Sequence, residues 1–151
     1  MDENLYNQVS NASPDRPDGS QTITGDLTFA DLRNRDLRQF QLSHVNFSNA
    51  ILDRSVMYRV VECVFDSASM VGIKVLPGGQ IYKSNLCRAN LQQVSMTSVN
   101  LRECDFTDAD MRFGTFDRSM MEDADFNGAN VAGASFRNTQ LTTTFALASN
   151  I

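Results

Sequence analysis

A nucleophile relay needs a base to take its proton, and the 151 residues contain a single imidazole, His44. Its place in the sequence pattern faces outward, so it reads as a solvated surface residue and not as a base. Cys63, Cys87 and Cys104 are odd in number and widely spaced, without a C-x-x-C pair. That suggests neither a disulfide framework nor a zinc site. Cys63 and Cys104 fall at small inward positions and read as packing residues, while Cys87 faces out. The run Asp105, Asp108 and Asp110 is similar to the acidic part of a calcium loop. Counted from Asp108, however, Phe113 replaces the turn glycine and Ser119 the bidentate glutamate. No phosphate-cradling glycine loop occurs either. Catalysis is not expected, and neither a cofactor nor a metal is called for.

Charge distribution carries more. Residues 101–125 hold eight acids, Glu103, Asp105, Asp108, Asp110, Asp117, Glu122, Asp123 and Asp125, against Arg102, Arg112 and Arg118. That segment alone accounts for the formal charge of -5 on the whole chain. Residues 31–60 are the reverse, with Arg33, Arg35, Arg38, Arg54 and Arg59 against three aspartates. A chain with this balance is not expected to bind nucleic acid directly. Its polar, acidic start, MDENLYNQVS, and the lack of a run of ~18 apolar residues argue against a secretory signal and a membrane span. A reducing, cytoplasmic location is the simplest expectation. Phe113 and Met120 stand at outward positions of otherwise polar repeats, and an exposed aromatic beside acids is a better contact than acids alone.

What positions these residues is a repeat. From Leu86 every fifth residue is large and apolar: Leu86, Leu91, Met96, Leu101, Phe106, Met111, Phe116, Met121, Phe126, Val131, Phe136 and Leu141. Two positions earlier stand small or β-branched residues, from Ser84 and Ala89 to Ala134 and Thr139. The residue just before each centre is most often Asn or Asp. Neither a helix of period 3.6 nor a strand of period 2 keeps every fifth residue on one face, so the chain must turn at each repeat.

Written as ANLQQ, CDFTD, ADMRF, ADFNG and ANVAG, this pattern closely resembles the pentapeptide-repeat family over about residues 25 to 145. The resemblance implies an all-β fold, a right-handed quadrilateral β-helix with four pentapeptides per coil. Stacked at ~4.8 Å, the repeats would make about five to six coils, interrupted near 58–80. Phe106 would lie over Phe126, and Phe116 over Phe136. An earlier arm keeps the period at Leu27, Leu32, Leu37, Leu42, Phe47, Leu52 and Met57, although Arg35 and Phe40 do not suit the small inward position. Its continuation puts Glu62 at a centre, where a lone carboxylate cannot be buried. The frame is therefore expected to shift by three extra residues before Phe65, and by one more near Pro77, Gly78 and Gly79. Residues 58–64 and 76–80 are expected to form bulges or loops. Residues 1–20 read as a disordered tail, leaving 21–151 as one domain with Phe145, Leu147 and Ile151 to cover its last coil.

Two functional readings follow. One is an adaptor or scaffold that binds another protein, with export into a host cell as an effector kept open and pairing with a second copy through the C-terminal end. The other is drawn from the resemblance, since some members of the family are DNA mimics that bind type II topoisomerases. In either reading the candidate partner-binding residues are Glu103, Asp105, Asp108, Phe113, Met120, Glu122, Asp123 and Asp125. The Tyr58, Val61 and Pro77 to Gly79 interruption is a second candidate surface.

Overall fold

Every fifth residue from Arg88 to Asp123 has a left-handed backbone, with φ between 55° and 60°, and none of these eight is glycine. These are the corners of a four-sided solenoid. In each repeat the large centre and the small residue two positions before it point inward, and both are buried from Leu86 through Ala129. The computed structural model describes residues 1–11 and 21–141.

Successive passes are joined by parallel bridging. The Asp105 N–H donates to the Ser84 carbonyl at 3.0 Å, and the Phe106 N–H to the Asp125 carbonyl at 2.7 Å. Each repeat thus bonds both to the pass before it and to the pass after it. The stacked centres fill the interior with matched rings: Phe47 on Phe65, Phe106 on Phe126 and Phe116 on Phe136, with centroids 5.0, 5.3 and 5.1 Å apart. The last two pairs are the ladders expected from the sequence.

The strand content corrects the coil count. Among the described residues regular strand occurs in four segments, β1 (Gln21–Asp26), β2 (Phe40–Asn46), β3 (Val56–Val61) and β4 (Lys74–Tyr82). They form one parallel sheet in the order β1-β2-β3-β4, so the right-handed solenoid built from strands makes about three turns, not five to six coils. Beyond β4 the repeats stack through isolated bridges, such as Asn85↔Asp105 and Asp105↔Asp125. The reason is local. A five-residue side offers one bridging residue before the next left-handed corner, too little for a strand. In β3 a corner is dropped: no left-handed residue stands between Arg54 and Glu62.

The expected interruption holds in part: residues 76–79 form a bulge between Met57↔Val75 and Arg59↔Gln80, and the pass from Ser69 to Asn90 carries one extra residue, whereas β3 runs as strand where a loop was expected. β3 and β4 are paired Val56↔Lys74, Val60↔Ile81 and Val61↔Tyr82, with a register shift between Met57 and Arg59. The bridges advance by 20 residues from Asp31 to Ile51, by 18 from Ile51 to Ser69 and by 21 from Ser69 to Asn90. The chain shortens by two residues where three extra were expected. Val60 takes the buried central place and Glu62 becomes an exposed corner.

The first pass is closed by α1 (Glu3–Ser10), within the residues expected to be a disordered tail. Asp2 caps it by accepting the Leu5 N–H at 3.1 Å. Leu5 and Val9, one turn apart, are buried against the solenoid end. The Asp2 N–H donates to the Asp26 carbonyl at 2.7 Å, and a Cβ on Gly25 would meet Leu5 Cδ2 at 2.9 Å. The helix thus covers the apolar end that an open solenoid would expose. Phe40 is buried at that end, while Arg35 is exposed. Phe145, Leu147 and Ile151 lie outside the described residues.

Candidate functional site

The corner geometry decides which acids meet. Glu103 and Asp123 are both exposed left-handed corner residues, φ 55° and 59°. They sit one pass apart, since the Glu103 N–H donates to the Glu122 carbonyl at 3.0 Å. Asp105 and Asp125, two residues past the corner, are bridged to each other. Glu103, Asp105, Glu122, Asp123 and Asp125 therefore flank a single corner. The same column continues through Lys83, Glu62 and His44, with Lys83 Nζ 3.4 Å from Glu103 and His44 Nε2 2.6 Å from Glu62. The remaining candidates lie elsewhere. Asp108 is on the next corner and Phe113 on the one after. Met120 is half-buried in the bridging row between Asn100 and Gln140.

Not all five carboxylates face a partner equally. Asp105 Oδ1 accepts the Thr107 N–H at 2.9 Å and Asp125 Oδ1 the Asn127 N–H at 2.9 Å. Asn85, Asn90, Asn100, Asp110 and Asn130 make the same bond to the amide two residues on. This Asx turn leads the chain into the corner that follows each of these residues, and Asn serves as well as Asp. The repeated Asn or Asp before each centre has that structural role. Asp105 also accepts from the Cys87 thiol at 3.0 Å. Partial burial pushes its carboxyl up, but the bonds from Cys87 and Thr107 outweigh it and hold the pKa below the usual range.

Glu103, Glu122 and Asp123 have no such duty to the backbone. Arg102 grips Glu122 through two bonds, 2.9 and 2.7 Å, and this pairing lowers the carboxyl pKa. Glu103 accepts from the Tyr82 hydroxyl at 2.8 Å. Asp123 is exposed, with no side-chain partner among the described residues. The corner offers five carboxylates against two cations, Arg102 and Lys83, and so keeps a negative excess at neutral pH.

The opposite end is less basic than its composition. Arg33 is bound to Asp31, and Arg38 to Asp36. Sequence reasoning missed Phe29, which is 74% exposed against 62% for Phe113. Both occupy left-handed corners, and an aromatic in the corner slot of the repeat was the available signal. The Phe113 ring lies over Gly133, where a Cβ would stand 2.7 Å from Cδ1, so one face of the ring is used in packing. The Tyr58 ring likewise rests on the Gly78 to Gly79 turn, where a Cβ on Gly79 would meet Tyr58 Cδ2 at 2.9 Å.

Among the described residues no group of three or more His, Cys, Asp or Glu could hold a metal ion, and no helix is long and apolar enough to cross a membrane. Residues 26–61, 84–123 and 119–144 match the family model for pentapeptide repeats, in eight copies. The chain is similar in structure to HetL, a pentapeptide repeat protein involved in heterocyst differentiation regulation from the cyanobacterium Nostoc sp. strain PCC 7120. The two share 18% identity over 79% of this chain and 84% of that one, with a TM-score of 0.30. A pentapeptide repeat protein from the Arabidopsis thaliana thylakoid lumen shares 22% identity over 78% and 69% of the two chains, TM-score 0.32. A trypsin-treated form of QnrB1, a plasmid-mediated fluoroquinolone resistance protein, shares 14% over 85% and 88%, TM-score 0.33. No curated protein matches the chain significantly in sequence.

Proposed function

Because this chain belongs to the pentapeptide-repeat family, we propose that it is a non-enzymatic interaction module that docks the corner bearing Glu103, Glu122 and Asp123 on a basic protein surface. The observation that carries this reading is the gathering of five carboxylates at one corner over two adjacent passes. A rigid backbone ladder sets their spacing, so little side-chain order is lost on binding. Duplex DNA shows one charge per ~1.7 Å of axis, or about three per ~4.8 Å strand spacing. Glu103 and Asp105 on one pass, with Glu122, Asp123 and Asp125 on the next, approach that density locally. The partner such a corner fits best is a groove built for DNA, and the DNA-binding groove of a type II topoisomerase is the specific form of the proposal.

The test is direct binding of a bacterial type II topoisomerase to the intact chain and to a Glu103→Gln, Glu122→Gln, Asp123→Asn variant, between about 50 and 200 mM salt. The intact chain should bind more weakly as salt rises. The variant should lose at least ~tenfold in affinity at low salt and show a shallower salt dependence. Equal binding by the two proteins would remove the corner from the account.

A further inference from the structure

The acids are not the only charges held ready. Two corners away from Glu103, and so diagonally across the four-sided solenoid, stands a column of left-handed residues: Asn34, Arg54 and Gly72, φ 59°, 58° and 64°. The Asn34 N–H donates to the Asp53 carbonyl and the Arg54 N–H to the Val71 carbonyl, both at 2.9 Å. Three successive passes are thereby stacked along this corner. Between them opens a hollow of about 330 Å³, lined by Arg33, Asn34, Asp53, Arg54 and Val71. Gly72 puts no side chain beside the Arg54 stem, and a Cβ there would come within 3.7 Å of Arg54 Cγ.

We infer that this hollow binds a single carboxylate side chain, presented by a glutamate-rich segment of a partner protein. Its charges divide into those already committed and those not. Arg33 is held by Asp31 through two bonds, at 2.9 and 2.5 Å. Asp53 turns Oδ1 toward its own scaffold, accepting from the Ser69 hydroxyl at 2.6 Å and the Val71 N–H at 3.1 Å. The Arg54 and Arg35 side chains make no ion pair or hydrogen bond among the described residues. Arg35 is exposed one residue past Asn34, close enough to act electrostatically on Asp31.

The charge count selects the ligand. Arg33, Arg54 and Asp53 line the hollow, Asp31 and Arg35 stand outside its lining, and the five together carry an excess of one positive charge. One carboxylate cancels it. A phosphate monoester brings ~1.5 to 2 negative charges, and a nucleic-acid backbone more. Both would be left facing Asp31 and Asp53 unbalanced. Shape agrees with charge: a guanidinium fork binds a carboxylate through two parallel bonds. Val71 and the aliphatic stem of Arg54 offer apolar surface for the methylenes of a glutamate. None of these residues belongs to the acidic corner, so the two sites stand or fall separately.

The experiment titrates the full chain with capped hexaglutamate, followed by amide NMR shifts and calorimetry. Capped hexaglutamine, inorganic phosphate and a short duplex DNA are the comparison probes. Hexaglutamate should move the amides of Asn34, Arg54 and Val71, and hexaglutamine should not. Arg54→Asn, a residue that tolerates the left-handed corner, should weaken binding about tenfold, the size of one lost charge-assisted bond. Arg54→Lys, which keeps the charge and loses the fork, should fall between. Arg118→Ala, removing an exposed arginine on another part of the solenoid, should change nothing. The inference is overturned if Arg118→Ala weakens binding as much as Arg54→Asn, or if hexaglutamate leaves these amides unmoved. It is equally overturned if phosphate or DNA moves them more than the peptide does.

Discussion

Alanine at position 114 should damage the solenoid although alanine fills the equivalent place in neighbouring repeats. Ala89, Ala109 and Ala124 are all buried at that small inward position. Gly114 is not at a positive φ, so its backbone accepts an L side chain, and the gain from stiffening the unfolded chain would be ~0.4 to 1 kcal/mol. The obstacle is its own repeat. A Cβ would lie 2.6 Å from Phe116 Cε2 and 3.1 Å from both Phe116 Cζ and the Met111 carbonyl oxygen. Phe116 cannot yield freely, being fully buried and stacked on Phe136 at 5.1 Å and 10°. Overpacking costs ~1 to 3 kcal/mol, and disturbing the stack ~0.5 to 1.5 more. Net destabilisation of ~0.5 to 4 kcal/mol follows for Gly114→Ala. Urea unfolding of this variant, of Phe116→Leu and of the pair completes a double-mutant cycle. The smaller leucine should relieve the clash and give a coupling energy of ~0.5 to 3 kcal/mol. A Gly114→Ala protein as stable as the parent, or a penalty that persists unchanged beside Leu at 116, would refute the packing argument.

Ser55 has a fully buried hydroxyl without a hydrogen-bond partner among the described residues, so Ser55→Ala should stabilise the protein by roughly 1 kcal/mol; a lower urea midpoint would count against that. The carboxyls of Asp31, Asp36, Asp110, Asp117 and Glu122 are held below their usual range, chiefly by hydrogen bonds from Arg33, Arg38, Arg112, Ser135 and Arg102, and that of Asp26 falls to about 2. Lowered folded-state values mean a contribution that is complete above the unfolded value near ~4 and lost as pH falls toward about 2. Urea midpoints measured from pH 5 to 2 should fall through that window, and a flat profile would contradict the pairing. Burial pushes the Cys63 and Cys104 thiols up to about 11 and about 12, and burial with the Asp105 bond raises Cys87 to about 11. A thiol reagent at pH 7 should therefore react slowly with all three, and Asp105→Asn should speed Cys87 alone.

The five-residue ladder was legible because every centre from Leu86 to Met121 is large, apolar and buried, and only Phe113 and Met120 put a comparable side chain at an outward position. The frame shift was legible only modulo five. Three residues added and two removed leave Phe65, Met70 and Val75 in the same phase, and periodicity cannot choose between them. The structure removes two, because β3 carries the chain from Met57 to Val60 without a left-handed corner. The same ambiguity turned the end of β3 into an expected loop, while the slip at Pro77, Gly78 and Gly79 was legible from the turn residues and is present as the bulge in β4. Helix α1 was missed because its apolar face is two residues, Leu5 and Val9, in an otherwise polar stretch. Its burial depends on the solenoid end that it covers. At the acidic corner the charges could be counted from the sequence, but their commitments could not. Arg102 reaches Glu122 across 20 residues, and the Asx role of Asp105 and Asp125 emerges only when Asn85 and Asn130 are seen making the same bond.

Whether the corner occupies a DNA site is most directly measured by competition. The labelled chain, bound to a type II topoisomerase, is titrated with linear duplex DNA, alongside the Glu103→Gln, Glu122→Gln, Asp123→Asn variant in a supercoiling assay. The account predicts that DNA displaces the chain completely, and that the intact protein inhibits supercoiling where the variant does not. A stable complex of enzyme, DNA and chain together, or equal inhibition by the variant, would contradict it.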